Sequence, residues 1–246
     1  MKTLREWLRE GPFSLAMSSG FFGFFAHAGV TTVLEDEGLL PVRLTGSSAG
    51  ALVAGTWAAG LDAPDLAREL LRLERAHFWD PRPGLGLLAG RLFRERLETM
   101  LPRRRFDECR AALAVSVFDL RVRGTRVISS GALAPALHAS CAVPLMFHPV
   151  SHEGTLLYDG GVLDRPGLAG MPPGERVLFH HLASKSPWRT SLELPRRVGM
   201  TTLVIEDLPR AGPFALEAGR RAFAAARDAT RVALGRPHHE IVRVFA

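Results

Sequence analysis

Cysteine is nearly absent: Cys109 and Cys141 are the only two in 246 residues. Two distant thiols exclude a disulfide framework, and they exclude a structural zinc site, which needs more ligands at close spacing. Both are expected to behave as small buried apolar side chains. Lysine is just as scarce, with Lys2 and Lys185 alone against an arginine-rich remainder and a net charge of +6. The longest basic cluster, Arg103-Arg104-Arg105, lacks the interleaved aromatic residues of a single-strand groove, so no nucleic-acid partner is expected. A solvated basic face is the default reading, and its field favours peripheral contact with anionic headgroups.

Long apolar runs are missing too. The N-terminal MKTLREWLREGP carries Arg5, Glu6, Arg9 and Glu10, which breaks any apolar stretch of signal-peptide type. Residues 11–30 have the apolar character of a membrane span at first sight, but Ser18, Ser19, Gly20, Gly23, His27 and Gly29 interrupt them, and a strand, a glycine loop and a helix are expected instead. The expected location is therefore cytoplasmic, with peripheral membrane contact. No repeat, low-complexity tract or long polar linker divides the chain, so residues 1–246 are read as one domain around one core. The glycines at 20, 23 and 29 miss the dinucleotide-binding spacing, and no G-K-[ST] follows them.

What is present is a strand–helix alternation. Strands are expected at 13–17, 41–44, 114–118, 126–128, 155–158, 176–179 and 202–205; helices at 24–37, 49–59, from Asp62 through Leu73, 133–140 and 214–234; a Pro/Gly-rich loop at 80–90. Such alternation predicts a mainly parallel sheet covered by helices.

Residues 44–52 read LTGSSAGAL, and Gly46-x-Ser48-x-Gly50 has the spacing of a nucleophile elbow, in which a strand turns sharply into a helix and exposes one serine hydroxyl. The turn strains the serine backbone and tolerates only small neighbours, which Gly46, Ala49 and Gly50 supply. The N–H of Ala49, at the head of the following helix, is a candidate oxyanion donor. Two further stretches bear on Ser48: the loop Ser18-Ser19-Gly20-Phe21-Phe22-Gly23, which can aim backbone amides outward, and Tyr158-Asp159-Gly160-Gly161 at a strand end.

SSGFFG, then GSSAG, then DGG, with Ala139-Ser140-Cys141-Ala142-Val143-Pro144 and Phe147-His148-Pro149-Val150 before the last, resemble the patatin-like phospholipase family over residues 11–166. The resemblance implies a three-layer α/β/α sandwich with a mainly parallel central sheet, and a serine-dependent acyl hydrolase of lipid esters that needs no metal or cofactor. By position it makes Ser48 the nucleophile, Asp159 its partner in a Ser-Asp dyad, and the N–H groups of Gly20, Phe21 and Gly23 oxyanion donors. This loop resembles the G-x-G-F-L-G form of animal lipases of the family rather than the form with three consecutive glycines and a basic residue. After DGG, Leu163-Asp164-Arg165-Pro166 stands where asparagines usually precede a proline, a change of support rather than of chemistry.

Two other readings stay open. An ordinary α/β-hydrolase triad would draw on His180, His181, His238 or His239, all downstream of Asp159, although a paired histidine in a strand is usually one buried and one exposed residue. A catalytically silent lipid-binding protein would keep the fold and lose the chemistry. Phe21, Phe22, Phe24, Phe25 and Trp57 are candidates for an acyl pocket, with core packing expected for most of them.

Overall fold

The computed structural model describes residues 2–183 and 194–246, so Lys185 lies outside the described residues. Helix α1 (Leu4–Arg9) opens on a Thr3/Glu6 capping box and is followed by β1 (Ser14–Met17), α2 (Phe24–Asp36), β2 (Arg43–Ser47) and α3 (Ala49–Ala58). Helix α4 (Ala63–Leu71) starts at Asp62, whose carboxylate accepts from the Asp65 N–H, with Pro64 in the first turn. Next come β3 (Gly86–Leu88), α5 (Arg91–Met100), β4 (Ala112–Asp119), β5 (Gly124–Ile128), α6 (Leu133–Ser140), β6 (Leu145–Phe147), β7 (Val150–His152) and β8 (Thr155–Asp159). The chain finishes with β9 (Val177–Leu182), β10 (Met200–Glu206), α7 (Leu216–Gly235) and β11 (Ile241–Phe245).

Nine strands form the central sheet in the order β11-β10-β9-β1-β2-β4-β8-β7, with β5 paired to β4. Every pairing from β11 to β4 is parallel, whereas β5, β8 and β7 run antiparallel to their neighbours. The fold is thus α/β, a mainly parallel sheet flanked by helices. Strands β1 and β9 are buried on both faces, which is why they read as unbroken apolar runs. Leu15, Met17 and Leu178 join the large core beneath the helices, while Ala16, Val177 and Phe179 alternate onto the other face with Met171 and Met200.

The structure differs from expectation in several places, each with its own cause. β2 runs three residues further than expected because Thr45, Gly46 and Ser47 pair with β4, carrying the strand into the serine motif. Helix α5 gives little apolar signal, with Leu97 its one buried residue; instead Asp80 caps it, accepting from the N–H groups of Gly90 and Leu92, and Arg91–Glu95 and Arg94–Glu98 pairs line its surface. The expected loop at 80–90 contains β3, which pairs with β6. Leu73, expected on the α4 stripe, is buried just beyond the helix end. Both cysteines are half-buried rather than buried, because each sits at the margin of the core.

Candidate active site

β2 ends at Ser47 and α3 begins at Ala49, so a single residue makes the turn. Ser48 takes φ 53° and ψ −120°, a conformation that costs a non-glycine residue about 1–3 kcal/mol and persists only where its surroundings impose it. Those surroundings are specific. The helix head lies so close to β1 that any side chain at Gly50 would collide with the Met17 carbonyl. The Ser48 N–H donates to Ser140 Oγ at 3.0 Å, and that hydroxyl donates to the Ser116 carbonyl of β4 at 2.7 Å.

Asp159 closes β8, beside Val117 of β4. Its Oδ1 accepts from the Gly161 N–H at 2.7 Å, while Oδ2 has no hydrogen-bond partner among the described residues. Burial pushes the Asp159 carboxyl up to about 6, opposed by the Ser48 hydroxyl and the Gly161 N–H, both of which favour the charged form. Among the described residues no hydrogen bond joins the Ser48 hydroxyl to this carboxylate. Asp164 holds the turn that follows: its Oδ2 accepts from Ser116 Oγ at 2.6 Å and from the Ala169 N–H, and its Oδ1 from the N–H groups of Gly167 and Leu168.

The 18–23 loop faces Ser48 from β1. Gly23 lines the groove, but its N–H donates to the Gly20 carbonyl at 2.9 Å, which corrects its expected role as an oxyanion donor: the turn consumes the group. Among the described residues no hydrogen bond takes up the N–H of Gly20 or Phe21, and the N–H of Ala49 lies in the first turn of α3, where no helical carbonyl reaches it. Beneath the loop, His27 Nε2 meets the Ser18 carbonyl at 2.8 Å and His27 Nδ1 meets His180 Nδ1 at 2.8 Å.

Ser48 stands where two spaces meet. One is a narrow pocket of about 110 Å³ walled by apolar side chains, among them Leu52, Leu66, Leu70, Phe78 and Leu97, with the Arg96–Glu69 ion pair in its wall. The other is an open groove of about 850 Å³ that passes Asp159, Gly161 and Arg165 and reaches the loop after β10. It opens at the carboxyl ends of β1 and β9, where the strand order turns from one direction to the other, the usual crevice for ligands in such sheets. Phe21, Phe22 and Phe24 line the pocket, more than the core-packing expectation allowed; Phe25 and Trp57 are core.

None of the four downstream histidines lines either space. His180 and His181 are both buried, against the expectation of one exposed, because β9 is covered on both faces; His238 stacks on Trp7. No group of His, Cys, Asp or Glu among the described residues could hold a metal ion, and no helix there is long and apolar enough to cross a membrane.

The profile described as Patatin-like phospholipase matches residues 15–170. The chain belongs to the patatin-like phospholipase family. Similar curated proteins, described as "Uncharacterized NTE family protein", occur in Mycobacterium tuberculosis and Mycobacterium bovis; each is 30% identical over 154 residues, covering 61% of this chain and 43% of the relative. The chain thus matches less than half the length of these relatives. A solved structure, VipD from Legionella pneumophila, is similar with a TM-score of 0.48 at 15% identity over 79% of this chain and 50% of that one.

The stretch matched by the patatin-like family contains Ser48, Asp159 and the 18–23 loop, and the groove brings all three together. Sequence reasoning missed Ser140 and the buried His27–His180 pair as supports, and gave Asp164 no partner. Ser140 lay in a quoted motif, but nothing local marks its link to Ser48.

Proposed function

We propose that the chain is a serine-dependent acyl hydrolase of lipid esters, of phospholipase A or esterase type, acting through a Ser48–Asp159 dyad. The observation that carries this reading is the Ser48 hydroxyl held at a strained turn, a nucleophile elbow, beside a buried carboxylate with one unpartnered oxygen, between an apolar pocket and a polar groove. Ser48 Oγ attacks the ester carbonyl carbon as its proton passes to Asp159. The N–H groups of Gly20, Phe21 and Ala49 stabilise the oxyanion. Collapse breaks the C–O bond, the alcohol or lysolipid leaves with the proton, and the acyl group stays on Ser48. A water then gives a proton to Asp159 and attacks the acyl carbon; the bond to Ser48 Oγ breaks, Asp159 returns the proton to that oxygen, and the fatty acid leaves. A carboxyl raised to about 6 is still ionised at neutral pH, yet it is a better base than an ordinary aspartate.

The apolar pocket takes the acyl chain and the groove takes the leaving group. Contact with the lipid surface is peripheral in this reading. The triad reading gains no support from a groove without a histidine. A fluorophosphonate probe is expected to label Ser48, and Ser48→Ala and Asp159→Asn each to lose about 10³-fold or more of nitrophenyl-ester turnover while remaining folded. Retained turnover in either variant removes that residue from the mechanism, and an unlabelled wild-type protein favours the silent lipid-binding reading.

A further inference from the structure

The parallel strands β1, β2, β4, β9 and β10 all end at the edge of the sheet where the groove opens, so the loops that follow them share one end of the molecule. This end carries large apolar side chains in water: Phe21 is 56% exposed, Val122 63%, Phe214 74% and Leu145 84%. Single exposed apolar residues are commonplace, but Phe21, Val122 and Phe214 stand on loops that follow parallel strands at this one end, and Leu145 follows residues that line the groove. Phe21 lines the pocket and the groove and approaches Gly212, two residues from Phe214. Leu145 follows Val143 and Pro144, which line the groove. Its φ of 69° is a left-handed conformation that a leucine adopts at a cost, so the backbone spends energy to hold this side chain outward.

The charge on the same end is positive. In the turn after β4, Val122 lies between Arg121 and Arg123, and the Asp119 carboxylate pins that turn by accepting from the N–H groups of Arg121 and Val122. Arg121, Arg123 and Arg210 have no ion-pair partner among the described residues, and all three are exposed to water. Asp207 is the exposed acid of the loop after β10; Glu206 is taken up by Arg243.

We infer that this end docks on an anionic phospholipid bilayer, the apolar side chains entering between headgroups and the arginines meeting phosphates, so that the cleft opens onto the lipid. The inference rests on the acyl-hydrolase reading for its purpose, but its geometry stands without it. A protein partner would be served by a flat, paired surface; protruding leucine, valine and phenylalanine beside uncompensated arginines match the apolar-and-anionic layering of a membrane interface.

The test is sedimentation of the full chain with phosphatidylcholine vesicles, with and without phosphatidylglycerol. Wild type is expected to bind the mixed vesicles more tightly. The Val122→Ser/Leu145→Ser/Leu163→Ser variant, which includes Leu163, 58% exposed and next to the groove-lining Val162, is expected to bind them about tenfold or more weakly with unchanged turnover of a soluble short-chain ester. Arg121→Glu/Arg123→Glu is expected to lose the preference for phosphatidylglycerol. Leu40→Ser/Val42→Ser, which precedes β2 at the other end of the sheet, should bind as wild type. A wild-type protein that ignores both vesicles, or a triple variant that binds undiminished, overturns the proposal; so does a dimer, lost in the triple variant, in a protein without vesicle affinity. Vesicle binding in a protein without esterase activity would leave the docking face standing and remove the hydrolase reading.

Discussion

The two walls of the cleft hold their loops at the same level by opposite chemistry. The β4–β8 wall is pinned by carboxylates, Asp164 gathering a hydroxyl and three backbone N–H groups and Asp159 holding the Gly161 N–H. The β1–β9 wall is pinned by neutral imidazoles. His27 Nε2 faces a carbonyl and must carry the proton, so its Nδ1 accepts and His180 Nδ1 donates. Burial keeps both neutral, lowering His27 to about 4 from an ordinary 6.5 and His180 well below its ordinary value.

The walls therefore answer acid in opposite ways. With Asp159 raised from 3.8 to about 6, the folded chain keeps a proton that the unfolded chain gives up, so stability from this group is full below 3.8 and lost as pH rises through 6. With His27 lowered, the unfolded chain takes a proton first. Its contribution is full above 6.5 and lost as pH falls towards 4. Each effect is worth about 3 kcal/mol. A carboxylate poised as a base costs stability at the pH where it works, and the opposite wall has its full strength there.

The sharpest way to break this comparison is Asp164→Ala, which strands the Ser116 hydroxyl and three N–H groups. A loss of about 3–5 kcal/mol in urea unfolding is expected, with a smaller loss in Asp164→Asn. A loss no larger than that of a surface substitution would mean the wall is not pinned by this carboxylate. Next, Asp159→Asn is expected to stabilise the protein by about 3 kcal/mol at pH 8 and to have no effect near pH 4, leaving an acid slope due to the histidines. Unfolding midpoints measured from pH 4 to pH 8 check this, and an unchanged stability at pH 8 contradicts it. The smallest effect is on the loop wall. A Cβ at Gly23 collides with a Leu182 methyl group, the far end of a flexible side chain, so Gly23→Ala is expected to cost about 1 kcal/mol. The cost should vanish in a Leu182→Ala background, read as a coupling energy in a double-mutant cycle.

Much of the site was legible because its signals are local. A one-residue turn into a helix needs small residues at fixed spacing, so Gly46-x-Ser48-x-Gly50 marks the turn without reference to the rest of the chain. Helix α6 was placed at its observed bounds, and α4 was announced by Asp62 and Pro64. Helix α5 was not, because its cap comes from Asp80, ten residues before Gly90, and its surface pairs leave little apolar pattern to read.

By itself the sequence determined the α/β alternation, the family, and which serine and aspartate stand at strand ends, since periodicity, caps and turn chemistry act within a few residues. Only the tertiary structure decided that Gly23 spends its N–H on Gly20, that His180 and His181 are both buried, that Asp164 anchors one wall and His27 the other, and that Arg121, Arg123 and Arg210 have no ion pair among the described residues. Those outcomes depend on groups brought together from far along the chain, Ser116 to Asp164 or His27 to His180, and the desolvation and hydrogen bonds that fix them exist only once the sheet has assembled.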